Sequence, residues 1–234
     1  LDEENLCEIH RQLGAEATSV TCRSHPRFTE DYGPFREVSL CASCPAALEL
    51  LLGSDAPLTF PETETAEPEE PGDPWLGGLV PLRERMLTEL ADRRRPLEAR
   101  LTRFLLLALE GQALLEEDLA EEMAVLAAEW EEPRVELPGG PGIFPKALRT
   151  LAALEVLDGD WRDLLRRAET AAAVPVPEAL LERVGTYFAF RYLLKAVNDG
   201  DLLGQAQFCV LMVLTARRLA AVCGLHEAVR LSLI

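Results

Sequence analysis

Residues 97–108 read LEARLTRFLLLA, and their apolar members fall on a helical period. Leu97, Leu101, Phe104, Leu105 and Ala108 recur at three- and four-residue spacing and form one stripe, with Arg100 and Arg103 on the other side. An amphipathic helix of this kind buries its stripe against other helices. The same spacing runs on from Trp75 and gives further helices over Glu116 to Trp130, Lys146 to Leu157, Asp160 to Ala172, Glu178 to Val197 and Leu202 to Cys223. Pro145 and Pro177 stand where a first helical turn tolerates proline, Asp160 is placed to cap a helix start, and Gly224 follows a helix end. No alternating run reads as a strand, so the expected fold is all-α: an irregular helical domain over residues 75–234.

Upstream of that domain the composition changes twice. Residues 54–74 are rich in Pro, Glu and Thr, which bury little and cannot offset their ordering entropy, so an extended linker is expected. Residues 1–53 carry Cys7, Cys22, Cys41 and Cys44 and are broken by His25-Pro26, Tyr32-Gly33-Pro34 and Cys44-Pro45. Short helices joined by turns are expected there, acting as a clip and not as a core. Leu1 is not a methionine, and no charged-then-apolar signal segment follows it, so the numbered chain reads as a piece of something longer.

The 234 residues are 48% apolar and 27% charged, enough apolar material for a sizeable core. With 23 Lys and Arg against 40 Asp and Glu, the net charge of −17 disfavours the phosphate backbone of nucleic acids and suits a cationic partner. A solvated acidic surface explains the same charge without any partner. No run reaches the ~18 consecutive apolar residues of a membrane span, so no membrane is expected. The segment Gly139-Gly140-Pro141-Gly142 is a loop between helices, lacking the strand and helix that a phosphate cradle requires. His10, His25 and His226 have no nucleophile elbow beside them. The acidic groups Glu116-Glu117-Asp118, Glu121-Glu122 and Glu131-Glu132 could hold a lysine ammonium or act as a base, but helix-surface solvation accounts for them as well. Arg93-Arg94-Arg95, just before Pro96, fit a helix C-terminus through its macrodipole. Tyr187, Phe188, Phe190 and Tyr192 read as core, with Arg191 and Lys195 as unusual company.

Cysteines give the sharpest chemical signal. The two-residue gap in Cys41-Ala-Ser-Cys44 lets both sulfurs face one ion, and soft thiolates select zinc, copper(I) or iron–sulfur clusters. Cys209 and Cys223 lie among apolar residues and read as small buried hydrophobes.

Four blocks, Leu6-Cys7-Glu8-Ile9, Leu13-Gly14, Thr21-Cys22-Arg23 with His25-Pro26-Arg27, and Ser39-Leu40 with Ser43-Cys44-Pro45, resemble the bacterial flagellin lysine-N-methylases in order and spacing. The run from Tyr187 to Ala196, followed by Asp199-Gly200-Asp201, is similar to the C-terminal helical region of that family. The resemblance implies a cytoplasmic enzyme that moves methyl groups from S-adenosylmethionine to flagellin lysine ε-amines and holds an iron–sulfur cluster. It puts Cys7, Cys22 and Cys44 on the family's cysteine positions, while Cys41 falls where the family has another residue. It implies further cysteines before Leu1 and an acidic motif past Ile234, and it assigns no catalytic or donor-binding residue. The motif Cys-x3-Cys-x2-Cys of radical chemistry is absent from the sequence. A different class also fits the residues: a non-catalytic zinc- or iron-binding helical module whose acidic face docks a basic partner.

Overall fold

The structure is a computed structural model, and it describes residue 4 and residues 6–64, 71–133, 143–154 and 159–231. Its N-terminal part begins with two short helices, α1 (Glu8–Leu13) and α2 (Val20–Ser24). A hairpin follows, β1 (Arg27–Asp31) with β2 (Arg36–Leu40), and then α3 (Pro45–Leu52). The helical body comprises α4 (Leu76–Ala91), α5 (Leu97–Glu116), α6 (Ala120–Glu129), α7 (Ile143–Ala153), α8 (Gly159–Thr170), α9 (Glu178–Tyr192), α10 (Ala196–Asp199), α11 (Leu202–Cys223) and α12 (Leu225–Leu231). The fold is therefore mostly helical, as expected.

The hairpin corrects the expectation that residues 1–53 hold no strand. Its strands are antiparallel, with Arg27 opposite Leu40 and Asp31 opposite Arg36. Gly33 supplies the positive φ of 90° that its turn requires, and Asp31 accepts the Gly33 N–H at 3.0 Å. The strands escape pattern reading because β2 turns its polar residue inward. Glu37 meets the buried Arg83 of α4 at 2.6 Å, while Val38 faces solvent.

Helices α4, α5, α9 and α11 surround the main core, where Leu82, Met86, Leu97, Leu107, Phe188 and Val213 have essentially no exposure. A second cluster joins α7, α8, α11 and α12 through Leu148, Leu165, Leu219 and Ala228. The clip reading needs correction as well, because Leu48, Leu51 and Leu52 of α3 belong to the main core. By contrast, α1 and α2 contain no buried residue. Residues 54–64 form neither helix nor strand, yet the Phe60 ring stacks on Phe190 at 4.0 Å. Helix α11 is long and apolar enough to cross a membrane by composition alone, and its packing on α5, α8, α9 and α12 accounts for that composition.

Several boundaries differ from expectation for visible reasons. The α11 bounds and the Gly224 stop agree. The helix expected from Glu178 to Val197 instead ends at Tyr192 and continues as a 3₁₀ turn and then α10. Helix α8 starts at Gly159, which puts Asp160 inside its first turn and not at its cap. The 139–142 loop lies outside the described residues. Arg93 to Arg95 sit past the end of α4, where carboxylates hold them: Arg93 bonds Glu182, and Arg94 and Arg95 bond Asp92.

Buried charge is the main departure from the amphipathic reading. Arg100 and Arg103, expected on the outer side of α5, are 1% and 8% exposed. Arg103 donates to Glu89 at 2.6 Å and Arg85 donates to the other Glu89 oxygen at 2.9 Å, which ties α4 to α5. Burial alone would raise the Glu89 carboxyl, but the hydrogen bonds from Arg103 and Arg85 outweigh it and hold the group below its ordinary range. Trp130 closes this seam, with the Arg103 guanidinium 4.7 Å from its ring centre.

Candidate functional site

The four N-terminal cysteines sit on three different elements. Cys7 is the N-cap of α1 and is exposed. Cys22 lies in α2, also exposed, and its backbone N–H donates to the cap residue Ser19 at 3.2 Å. Cys41 and Cys44 are half-buried and bracket one turn, closed by a Cys44 N–H to Cys41 carbonyl bond of 3.0 Å. Cys44 then caps α3, whose first residue is Pro45. Among the described residues, no three His, Cys, Asp or Glu side chains gather closely enough to hold a metal. The structure thus brings Cys41 and Cys44 together and does not bring Cys7, Cys22 and Cys44 to one centre. The donor type suits a cluster, but the placement does not compose one.

Helix α9 positions this region against the body. The Tyr187 hydroxyl accepts the Ala42 N–H at 3.2 Å and donates to the Leu40 carbonyl at 3.0 Å. Arg191, one turn further along, donates to Tyr187 at 2.6 Å and to Leu40 at 3.3 Å, and its guanidinium covers the Phe28 ring at 4.4 Å. Lys195 pairs with Glu30 at 3.5 Å over the Tyr192 ring. The basic company of the aromatic cluster is thereby explained: these cations face the hairpin and not the core. Burial raises the Tyr187 hydroxyl, opposed by Arg191, so the phenol keeps the proton it donates.

Tyr187→Phe removes that hydroxyl and leaves the buried Ala42 N–H without its acceptor, while the Leu40 carbonyl keeps Arg191. Its expected cost is about 1–3 kcal/mol, read as a lower urea midpoint. Faster amide exchange at Ala42 would accompany it; unchanged protection there would mean that the turn is held by other contacts.

Beside this seam is an open concavity of about 360 Å³, lined by Glu30, Asp31, Tyr32, Asp73, Leu76 and Asn198 among others. The Gly33 N–H and Arg36 hold the Asp31 carboxyl below its ordinary range. Burial, with Glu37 and Glu30 nearby, pushes the Tyr32 phenol up to about 12. The carboxylates of Glu30, Asp31 and Asp73 on one wall suit a cation. Each carboxylate already has a partner: Lys195 for Glu30, Arg36 for Asp31 and the Trp75 N–H for Asp73. A ligand ammonium would exchange with these.

The other candidates resolve simply. Cys209 is 2% exposed, and burial raises its thiol. Cys223 packs against the second cluster as a half-buried hydrophobe and bonds the Leu219 carbonyl at 3.4 Å, so it is less buried than expected. Glu116, Glu117, Glu121 and Glu122 are exposed, whereas Glu132 pairs with Arg103.

Comparison with known proteins gives one partial likeness. Over 65 residues, 28% of this chain, the sequence is 34% identical to the flagellar biosynthetic protein FliU of Salmonella muenchen. The match spans 38% of that relative's length. No family model matches the chain, and no solved structure matches it.

Proposed function

We propose that this protein is a protein-lysine N-methyltransferase acting on flagellin lysines with S-adenosylmethionine as donor, with an iron–sulfur cluster whose ligands, Cys7, Cys22 and Cys44, converge only when α1 and α2 are drawn towards Cys44. One observation carries the reading. The two segments that resemble the flagellin lysine-N-methylases, residues 6–45 and 187–201, are far apart in sequence and meet in the fold through Tyr187, Arg191 and Lys195. Segments that share a task are expected to share a seam. The printed name of the FliU relative puts that protein in flagellar biosynthesis, in keeping with a flagellar context.

An acidic chain favours one part of this chemistry, the gathering of cationic reactants, while nearby carboxylates by themselves keep a lysine charged. The methyl group moves from a cationic sulfonium to a neutral amine, the donor becomes a neutral thioether and the amine proton leaves to solvent. Lysine has an ordinary pKa of about 10.4, so it must shed a proton before it attacks. A net charge of −17 and the carboxylate wall at Glu30, Asp31 and Asp73 attract both cationic reactants. A cluster, when bound, would tie the cysteine-bearing elements together.

The decisive assay incubates the chain with flagellin and S-adenosylmethionine and reads added methyl mass on lysine by mass spectrometry, with iron and sulfide measured on the same sample. Methyl addition that requires the donor is the expected result. Absence of methylation by an iron-loaded sample would overturn the reading.

The open character of the acidic concavity favours a second reading, a non-catalytic metal-binding module docking a basic partner. Titration with S-adenosylmethionine separates the two, since only the enzyme binds it.

A further inference from the structure

The turn at Cys41 to Cys44 has the features of a redox pair. A hydrogen bond from residue i+3 to residue i defines a tight turn, which keeps its end Cα atoms within about 7 Å. A disulfide spans about 4.4–6.8 Å between Cα atoms, so the backbone already holds the two cysteines within bridging range. Neither is sealed in the core, since both are half-buried, and a small reagent can reach them. The Cys41 sulfur lies 2.8 Å from the Ser43 hydroxyl, on the polar side of the turn. Both flanks are fixed. Leu40 and Ala42 are clamped by Tyr187 and Arg191, and α3 begins directly after Cys44 with its far end packed in the core. A turn held on both sides keeps the two cysteines near each other whatever the rest of the N-terminal region does.

We propose that Cys41 and Cys44 form a reversible intramolecular disulfide by exchange with a low-molecular-weight disulfide. One thiol attacks the reagent, forming a mixed disulfide and releasing one equivalent of free thiol. The second thiol then displaces the other equivalent and closes the Cys41–Cys44 bond. The two electrons and two protons leave on the two released thiols. The inference stands apart from the methyltransferase reading, and it bears on that reading at one atom: the Cys44 sulfur cannot be in a disulfide and ligate a metal at the same time.

The test equilibrates the reduced full chain in mixtures of reduced and oxidised glutathione, quenches with acid, alkylates and digests after glutamate. The fragment Val38–Glu49 contains both cysteines. It is expected to go from doubly alkylated to unalkylated and two hydrogens lighter as the buffer becomes oxidising, while Cys7 and Cys22 stay alkylated or carry glutathione and are joined to no other cysteine of the chain. Cys41→Ser should abolish that form and leave Cys44 free or glutathionylated, with an unchanged melting curve. Double alkylation at every ratio, or Cys44 joined to Cys7 or Cys22, would overturn the proposal. Iron uptake by the reduced chain, measured in parallel, bears on the methyltransferase reading alone, so the two fail separately.

Discussion

Glu182→Ala is expected to cost about 3–5 kcal/mol of folding stability, the range for removing one partner of a buried ion pair. The Glu182 side chain is 2% exposed and sits between two arginines. Arg100 donates to it at 2.7 Å, and Arg93 grips both of its oxygens at 2.8 and 2.9 Å. Removing the carboxylate leaves Arg100, 1% exposed, with only Glu178 as a counter-charge, at the half-exposed edge of the cluster. The penalty comes from the stranded cation and not from a lost attraction, and that distinction is measurable. Arg100→Met with Glu182→Leu removes both buried charges and keeps apolar volume, so it should recover most of the loss. Urea midpoints of the single and double variants decide the matter. If Glu182→Ala shifts stability by less than about 1 kcal/mol, the cluster does not hold α5 to α9.

The neighbouring substitution acts in the opposite direction in space. Arg183→Met is expected to cost about 3 kcal/mol, because it removes three charge-assisted hydrogen bonds and leaves carbonyls without donors. Arg183 donates to the carbonyls of Leu51 at 2.6 Å and Leu50 at 2.8 Å, and to that of Ala56. The first two belong to the last turn of α3, where a helix leaves its carbonyls unpaired. Burial lowers the Arg183 pKa, but the guanidinium remains charged at any physiological pH. Arg183→Lys should rescue little, since one ammonium cannot reproduce the planar fork that spans three acceptors. Hydrogen exchange distinguishes this variant from Glu182→Ala. Protection should fall first across residues 45–52 in the former and across α5 and α9 in the latter.

What the sequence made legible follows from how local each signal is. Helix α11 was readable to both ends because apolar periodicity, the Asp201 cap and Gly224 lie within or beside it. Arg100 was misread on residue type. It is three residues after Leu97 and four before Phe104, so spacing alone puts it at the edge of the stripe. Arginine is rarely buried without a partner, and Glu182 lies 82 positions away, out of reach of any local pattern. The hairpin was missed because Glu37 faces inward and Val38 outward, which inverts the usual alternation. Arg191 and Lys195 are unusual company for the aromatic run, and the one-turn spacing of Tyr187 and Arg191 is the available clue that both face the same neighbour. Among the cysteines, the sequence could show that Cys41 and Cys44 share a turn, since that is a four-residue property. The relation of Cys7 and Cys22 to them is a property of the whole N-terminal fold.

The lack of apolar burial in α1 and α2 sets an order of rigidity along the chain. Segments that hide no hydrophobic surface open at small free-energy cost, so Cys7 and Cys22 ride on elements that can be repositioned cheaply. Cys44 is bolted through Leu40, Ala42 and α3 to the spine of the body. Any ion that recruits all three thiolates would thus fold the N-terminus around a fixed post, with the adjustment borne almost wholly by the first 24 residues.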